Sequence, residues 1–459
     1  MVKAPPPYKH QIASVKAFLN MPRGIDASDP GTGKTRVAID LFSIRRKNGG
    51  KCGLIVAPKS LLRSAWEDDF RKFAPHIKVS VCPADKRAEG FAADADVYVT
   101  NTDAAKWLAA QKPKFFAKFD TLFIDELSNF KHHTSQRSRS MNKVKKYFIY
   151  RYGLTGTPNA NTIADIWHQV FIIDDGRRLG TSFFHFRRQV CDPEQVGPQP
   201  HMLKWVDKPG AEQAVAHLLG DIVVRHKFEE CLDIPANHMY DRVYHMTPGQ
   251  AKAYIAMERS GAALLKQGAI TTTNAAGVAT KLLQIASGAS YTGVAGEDYV
   301  PIANERYELV ADLVEQRAHT VVFFNWSHQR DELIKEFTAR GITYAVIDGT
   351  TSDKNRKSAV DMFQAGFYRV LLAQPQSAAH GLTLTKGTAT IWASPTYNLE
   401  LFLQGNRRIY RAGQTQRTET IVIIAAGTIE EAVFARLMDK NKKQLSMLDL
   451  LRDYFKDRT

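Results

Sequence analysis

Ser28-Asp-Pro-Gly31-Thr-Gly33-Lys34-Thr35 runs without a break into Arg36-Val-Ala-Ile-Asp-Leu41, a stretch of helical character. Two glycines in a short polar turn let backbone N–H groups face inward around phosphate oxygens, and the following helix offers them its positive N-terminal end. Lys34 then reaches the β/γ-phosphates of a nucleotide and the Thr35 hydroxyl suits Mg²⁺, with Asp29, Gly31, Thr32 and Gly33 forming the rest of the cradle. The first glycine of the usual pattern is replaced by Ser28, and an ordinary glycine-rich turn between strand and helix is the competing reading.

Outward from this loop, apolar runs of strand length recur, each followed by a polar turn and a helical stretch. They are Gly53–Ala57, Val97–Thr100, Thr121–Asp125 and Tyr152–Thr155. Continuous rather than alternating apolar character is what parallel strands covered on both faces require. The same texture returns in Thr320–Phe324, Tyr344–Asp348, Val370–Ala373, Ala389–Ala393 and Thr420–Ile424. Two α/β lobes are predicted, 1–240 and 241–459, with the crossing near Ile234-Pro-Ala-Asn237. Helical material is expected near 165–220 and 246–290, together with a short helical tail. No segment reads as a wedge or pin that would pry strands apart.

A phosphate-gripping loop that hydrolyses its nucleotide needs an acid at a neighbouring strand end. Leu122-Phe-Ile-Asp125-Glu126 supplies two: Asp125 suits Mg²⁺ and Glu126 suits the attacking water. By itself a strand ending in Asp-Glu reads as a solvated turn. In the second lobe, Gln404-Gly-Asn-Arg407-Arg408-Ile-Tyr-Arg411-Ala-Gly413-Gln414 carries arginines spaced three apart. That spacing predicts a shared helix face from which Arg408 and Arg411 reach a γ-phosphate; a basic solvated face is the bland alternative.

Composition narrows the class of protein. The 459 residues, 44% hydrophobic, are enough for two large domains, and the sequence contains no run of about 18 apolar residues able to span a bilayer. The N-terminus has no apolar stretch of a secretory signal, so the cytoplasm is the expected compartment. Cys52, Cys82, Cys191 and Cys231 stand far apart and never form a CxxC pair, which points to reduced thiols rather than a metal site. Lys and Arg number 62 against 47 acids, a net charge of +15. That excess is the footprint of a polyanion binder, although a membrane or ribosomal surface would draw the same charge.

With these segments in order, the chain resembles the superfamily-two helicase-type ATPases, and specifically the Swi/Snf-type DNA translocases, over nearly its whole length. Pro7-Tyr-Lys-His-Gln11 is similar to the adenine-reading Q motif, with Gln11 as reader. Leu54-Ile-Val-Ala-Pro58-Lys59-Ser60, with Trp66 and Phe70, resembles motif Ia; Val99-Thr100-Asn101-Thr102 resembles motif Ib, and Leu154–Asn159 motif III. In the second lobe Val321–Ser327 is similar to motif IV, Ser377–Thr385, including Gly381, to motif V, and Gln404–Gln414 to motif VI. Ile222–Lys227 and Met246–Gln250 with Tyr254 also fit this branch. Two departures stand out: Asp125-Glu126-Leu127-Ser128 lacks the His that often couples this box to motif III, and Gln374-Pro-Gln376 introduces motif V.

The resemblance implies two RecA-like lobes with parallel sheets, flanked by helices and bearing helical protrusions. It implies ATP and Mg²⁺ as cofactors, the metal held at Thr35 and Asp125, and nucleotide contacts from Gln11 and Gly381. Lys34, Asp125, Glu126, Gln404, Arg408 and Arg411 are its expected catalytic set. Lys59, Ser60, Thr100, Asn101, Ser327, Ser377 and Thr385 are expected to touch the phosphodiester backbone without reading sequence. Lys131–Arg139 is expected either to add charge there or to be a plain solvated loop.

The function expected from all this is ATP-driven movement of a monomeric motor along double-stranded DNA, the lobes closing on ATP and reopening after hydrolysis. The alternatives are a strand-separating or branch-remodelling helicase acting on single-stranded or branched nucleic acid, and a nucleotide-gated binding module. A bare motor of this size is expected in a bacterial, viral or mobile-element setting.

Overall fold

The structure, a computed structural model, describes residues 5–456 apart from 157, 159–161, 197–198, 200–201, 232–233, 267–271, 293–297 and 379–381. The chain divides into two compact units, one of Met1–Asp233 with Lys440–Thr459, the other of Ile234–Asp439. The first contains strands β1 (Arg23–Asp26), β2 (Cys52–Ala57), β3 (Val79–Cys82), β4 (Val97–Asn101), β5 (Phe119–Asp125), β6 (Tyr150–Leu154), β7 (Cys191–Gln195), β8 (Leu203–Asp207) and β9 (Val223–Val224). Among the described residues, seven of these form one sheet in the order β3-β4-β2-β5-β6-β1-β9. Its strand pairs are all parallel.

The reason lies in the apolar runs. Every residue of β4 and β5 is buried. Successive side chains of a strand point to opposite faces, and here each face has its own core. Leu54, Val56, Leu122 and Ile124 pack on one side with Trp167, Val170 and Ile173 from the helix Ile166–Asp174. Ile55, Ala57, Val99 and Phe123 pack on the other with Val37, Ile39 and Phe42 from the helix Lys34–Lys47. A strand buried on both sides has no polar face to alternate with, which is the pattern read above.

The 165–220 region is not only helical. Helices Ile166–Asp174, Phe183–Val190 and Ala211–Leu219 are accompanied by an antiparallel hairpin, β7 and β8, with Pro193 opposite Trp205. Cys191-Asp-Pro-Glu-Gln195 has weak strand propensity, and proline is tolerated here because both strands of a two-stranded ribbon are edges. Four of the five β7 residues are exposed.

The second unit contains β10 (Asn237–Tyr244), β11 (Ala289–Thr292), β12 (Asp298–Pro301), β13 (Thr320–Phe323), β14 (Tyr344–Ile347), β15 (Val370–Ala373), β16 (Ala389–Trp392) and β17 (Thr418–Ala425). Six of these make a parallel sheet in the order β10-β17-β16-β13-β15-β14, while β11 and β12 pair antiparallel. Helices Pro248–Lys266 and Thr272–Ala286 occupy the second region expected to be helical, and a final helix spans Ile429–Lys456. With two parallel sheets flanked by helices, the fold is α/β. Among the described residues no helix is long and apolar enough to cross a membrane.

Candidate active site

In an open parallel sheet the carboxyl ends of the strands are where ligands bind. In the first unit that edge gathers the expected chemistry. The segment after β1 forms the glycine loop: Asp26 Oδ1 accepts the Ser28 N–H at 3.0 Å, and Thr32 donates its hydroxyl to the Asp29 carbonyl at 2.8 Å. Gly31 and Gly33 take φ of 90° and 85°, left-handed values that favour glycine. Gly33 is fixed twice over, because a Cβ there would lie 2.3 Å from Gln11 Nε2.

The loop is braced from outside. Gln11 donates to the Thr32 carbonyl at 3.1 Å, His10 Nε2 lies 2.8 Å from the same oxygen, and Gln11 Oε1 accepts the Tyr8 N–H at 3.0 Å. Gln11, the expected adenine reader, is thus buried and engaged at both ends of its amide, and it braces the loop. On the other flank, Arg225 forms an ion pair with Asp29 at 2.7 Å and donates to the Ala27 carbonyl at 3.0 Å. Asp29 also accepts the Phe228 N–H at 2.9 Å, and the His226 N–H donates to Ser28 Oγ at 3.1 Å. A Cβ on Gly156 would meet the Pro30 ring at 2.9 Å, so the end of β6 closes against the loop too.

Lys34 opens the helix Lys34–Lys47 and donates to the Ser28 and Asp29 carbonyls at 2.7 and 3.2 Å. Burial lowers its pKa, while the carboxylates of Asp26, Glu126, Asp125 and Asp29 pull it back up. That list places both acids of the β5 end in the electrostatic neighbourhood of Lys34. Thr35 follows on the first turn of the same helix.

Asp125 closes β5 and is oriented by two donors, Trp66 Nε1 on Oδ2 at 2.9 Å and the Glu126 N–H on Oδ1 at 3.0 Å. Burial raises its pKa; the Trp66 bond and the Lys34 charge oppose that rise. Glu126 sits at φ 51°, ψ 60°, one of two described non-glycine residues with positive φ. Such a conformation costs on the order of 1–3 kcal/mol and persists only where the surroundings impose it. Where the box has Ser128 in place of His, Leu127 fills the contact with β6: a Cβ on Gly153 would lie 2.4 Å from Leu127 Cδ2.

The expected backbone-contacting residues separate into two groups. Lys59 is exposed and Ser60 half-buried on the turn Lys59–Leu61 after β2. Thr100 is fully buried and donates its hydroxyl to the Cys82 carbonyl at 2.9 Å, tying β4 to β3, so it is removed from the phosphate-contacting set. Asn101 is buried as well, its Oδ1 accepting from Arg87 Nη2 at 2.7 Å, which makes Arg87 the cation presented at that strand end.

In the second unit the arginines are not on a helix. The helix Leu399–Asn406 stops before them, and Arg408 turns its Nε back onto the Gln404 carbonyl at 2.8 Å, capping the helix it was expected to extend. Arg408 Nη1 and Arg411 Nη1 both donate to the Leu382 carbonyl, at 3.2 and 2.8 Å, so the two side chains lie side by side without a helix face. Gln404 is buried and donates to Glu400 at 3.3 Å. Gln414 donates to the carbonyls of Thr385, Gly387 and Ile409, which locks the loop around the arginines.

Ser327 is exposed at the start of the helix Ser327–Ala339 after β13, and Ser377 lies in the short helix after β15. Thr385 is half-buried, its hydroxyl accepting from Gln364 at 3.2 Å. Gly381 lies outside the described residues, as do Thr157 and Asn159 of the motif III stretch. All four thiols are free, and among the described residues no group of three or more His, Cys, Asp or Glu gathers as for a metal ion.

Two residues important to this geometry had no role in the sequence reading: Trp66, which orients Asp125, and Arg225, which holds Asp29. Both stood inside segments noted for their resemblance. What was missing was the partner, 59 residues away for Trp66.

Comparison with known proteins places the chain in a family. Residues 10–288 match the SNF2-related domain and residues 305–413 the helicase conserved C-terminal domain. Protein p41 of Acyrthosiphon pisum secondary endosymbiont phage 1 is 26% identical over 98% of both chains. An uncharacterized ATP-dependent helicase of Mycoplasma pneumoniae is 26% identical over 94% of this chain, which spans only 40% of that longer protein. The solved Sulfolobus solfataricus SWI2/SNF2 ATPase core in complex with dsDNA is similar at 21% identity, with a TM-score of 0.46, over 98% of this chain and 95% of that one. The first family match alone covers more than half of the residues, and the chain belongs to the SNF2-related family, the Swi/Snf-type ATPases of helicase superfamily two.

Proposed function

We propose that the chain couples ATP hydrolysis to movement along double-stranded DNA without strong sequence preference, acting as a monomeric motor. The observation that carries this reading is the braced glycine loop. Lys34 lies at its mouth, and Asp125 and Glu126 end a strand of the same sheet edge. A cradle whose wall is held by Gln11, Arg225 and Gly156 is preorganised for phosphates and needs little rearrangement to grip them.

The donor set also fits Mg²⁺. This ion is usually held by one or two protein oxygens with the rest supplied by phosphates and water. The Thr35 hydroxyl and the oriented carboxylate of Asp125 are hard oxygen donors of that kind. When bound, the ion neutralises charge on the β- and γ-phosphates. Glu126 orients the attacking water, while Arg408 and Arg411 are held as a pair at Leu382 within the second unit. Lys59, Ser60, Arg87, Ser327, Ser377 and Thr385 then touch phosphates of the track, a mode of contact blind to sequence.

The test is ATP turnover measured with duplex DNA, single-stranded DNA and no DNA, beside a strand-displacement assay on a tailed duplex. Strong stimulation by duplex alone with no displacement is expected. A strand-separating helicase is the second reading, favoured by the exposed β7–β8 hairpin, and robust displacement would replace the first reading with it.

A further inference from the structure

Away from the nucleotide site, the helix Phe183–Val190 and the β7–β8 hairpin of the first unit form a surface that the ATPase chemistry does not use. Phe184 is 59% exposed, unusual for so large an apolar side chain. One turn further along, Arg187 lies 3.9 Å from the centroid of the Trp205 ring and 5.4 Å from those of Phe183 and Phe184. Its Nε is shielded from water and has no hydrogen-bond partner, and among the described residues no carboxylate pairs with it.

On the helix side the surface is basic, while Asp192 and Glu194 are exposed on β7. His133 packs on Phe183 with ring centroids 4.2 Å apart, and it meets Phe184 edge-on at 6.1 Å. Its pKa is lowered by burial and then by Arg139 and Arg187, so two guanidinium groups face the same spot. Arg139 and Arg188 are exposed there. A flat exposed ring beside unpaired guanidinium groups is complementary to a nucleobase with its phosphate, where the ring stacks the base and the cations take the anionic backbone. A duplex keeps its bases stacked on each other, so this surface fits an unpaired strand.

We propose that Phe184, Arg187 and Arg139 form a stacking contact for a single-stranded segment of nucleic acid. The inference rests on the reading above that the chain works on DNA. It supplies a means of favouring duplex ends, gaps or forks over uninterrupted duplex.

The experiment uses the full chain, with fluorescence anisotropy on a labelled oligo-dT and on an abasic strand of the same length. Wild type prefers oligo-dT. Phe184→Ala lowers oligo-dT affinity about tenfold, about 1.4 kcal/mol, while leaving abasic binding and duplex-stimulated ATP turnover unchanged; Phe184→Trp restores the preference. Arg139→Ala weakens both strands and flattens the salt dependence. Oligo-dT binding by Phe184→Ala equal to wild type, with duplex-stimulated turnover intact, overturns the contact and leaves the motor reading standing. Wild-type preference for an acidic peptide over oligo-dT also overturns it. Turnover that duplex DNA does not stimulate in wild type counts instead against the motor reading itself.

Discussion

Arg225→Met isolates the bracing of the glycine loop from the chemistry performed in it. Arg225 is fully buried, and its Nη1 reaches Asp29, the Ala27 carbonyl and the His226 carbonyl at 2.7, 3.0 and 3.3 Å. Methionine matches its apolar stem but leaves the Asp29 carboxylate buried without that cation. Removing one partner of a buried pair costs about 3–5 kcal/mol. For a unit of this size 1 kcal/mol shifts the melting temperature by about 2–4 °C, so the first unit should melt roughly 6–20 °C lower. With the loop wall released, KM for ATP should rise about tenfold, equivalent to about 1.4 kcal/mol of lost preorganisation. Calorimetry of the full chain with ATP titrations reads both. The double variant Asp29→Asn with Arg225→Met should recover much of the melting temperature, since no unpaired charge remains. A single variant melting within about 2 °C of wild type with unchanged KM, less than 1 kcal/mol on either measure, refutes the reasoning.

Lys34→Ala and Glu126→Gln should each abolish ATP turnover, the second while retaining bound ATP in a filter-binding assay; unchanged turnover in either removes the site assignment. His328 is buried between Ser287 Oγ at 2.9 Å and Tyr291 OH at 3.1 Å, and burial lowers its pKa to about 3. The unfolded chain therefore binds a proton near pH 6.5 that the folded chain refuses until about pH 3. Between those values stability is lost as pH decreases, by up to about 1.4 kcal/mol per unit from this group. Urea unfolding at pH 7 and pH 5 should show a smaller pH-dependent loss in His328→Gln than in wild type; equal losses would contradict it.

The interior of both sheets was legible because a strand covered on two faces is apolar throughout, as in Thr121–Asp125 and Val370–Ala373. Strands at or near edges escaped notice for the opposite reason. Arg23–Asp26 is four residues long and begins and ends with charge, and Asn237–Tyr244 has mostly exposed or half-exposed side chains. The glycine loop was readable because its residues are neighbours in sequence and each contributes through its own backbone or side chain. The ion pair of Asp29 with Arg225 was not, since only the pairing of β1 with β9 brings the two together. Periodicity misled at Arg408 and Arg411, where a spacing of three resembles a helix but a side chain caps the helix end. The resemblance misled at Thr100, whose position at a strand end was visible but whose hydroxyl points at a neighbouring strand.

The central claim is that ATP hydrolysis moves this chain along an intact duplex, and a duplex carrying a triplex-forming third strand tests it most directly. A motor that tracks the duplex strips the third strand as ATP is consumed, with wild type but not with Lys34→Ala, and leaves the two Watson–Crick strands paired. ATP consumption at full rate with the third strand still in place would contradict the account.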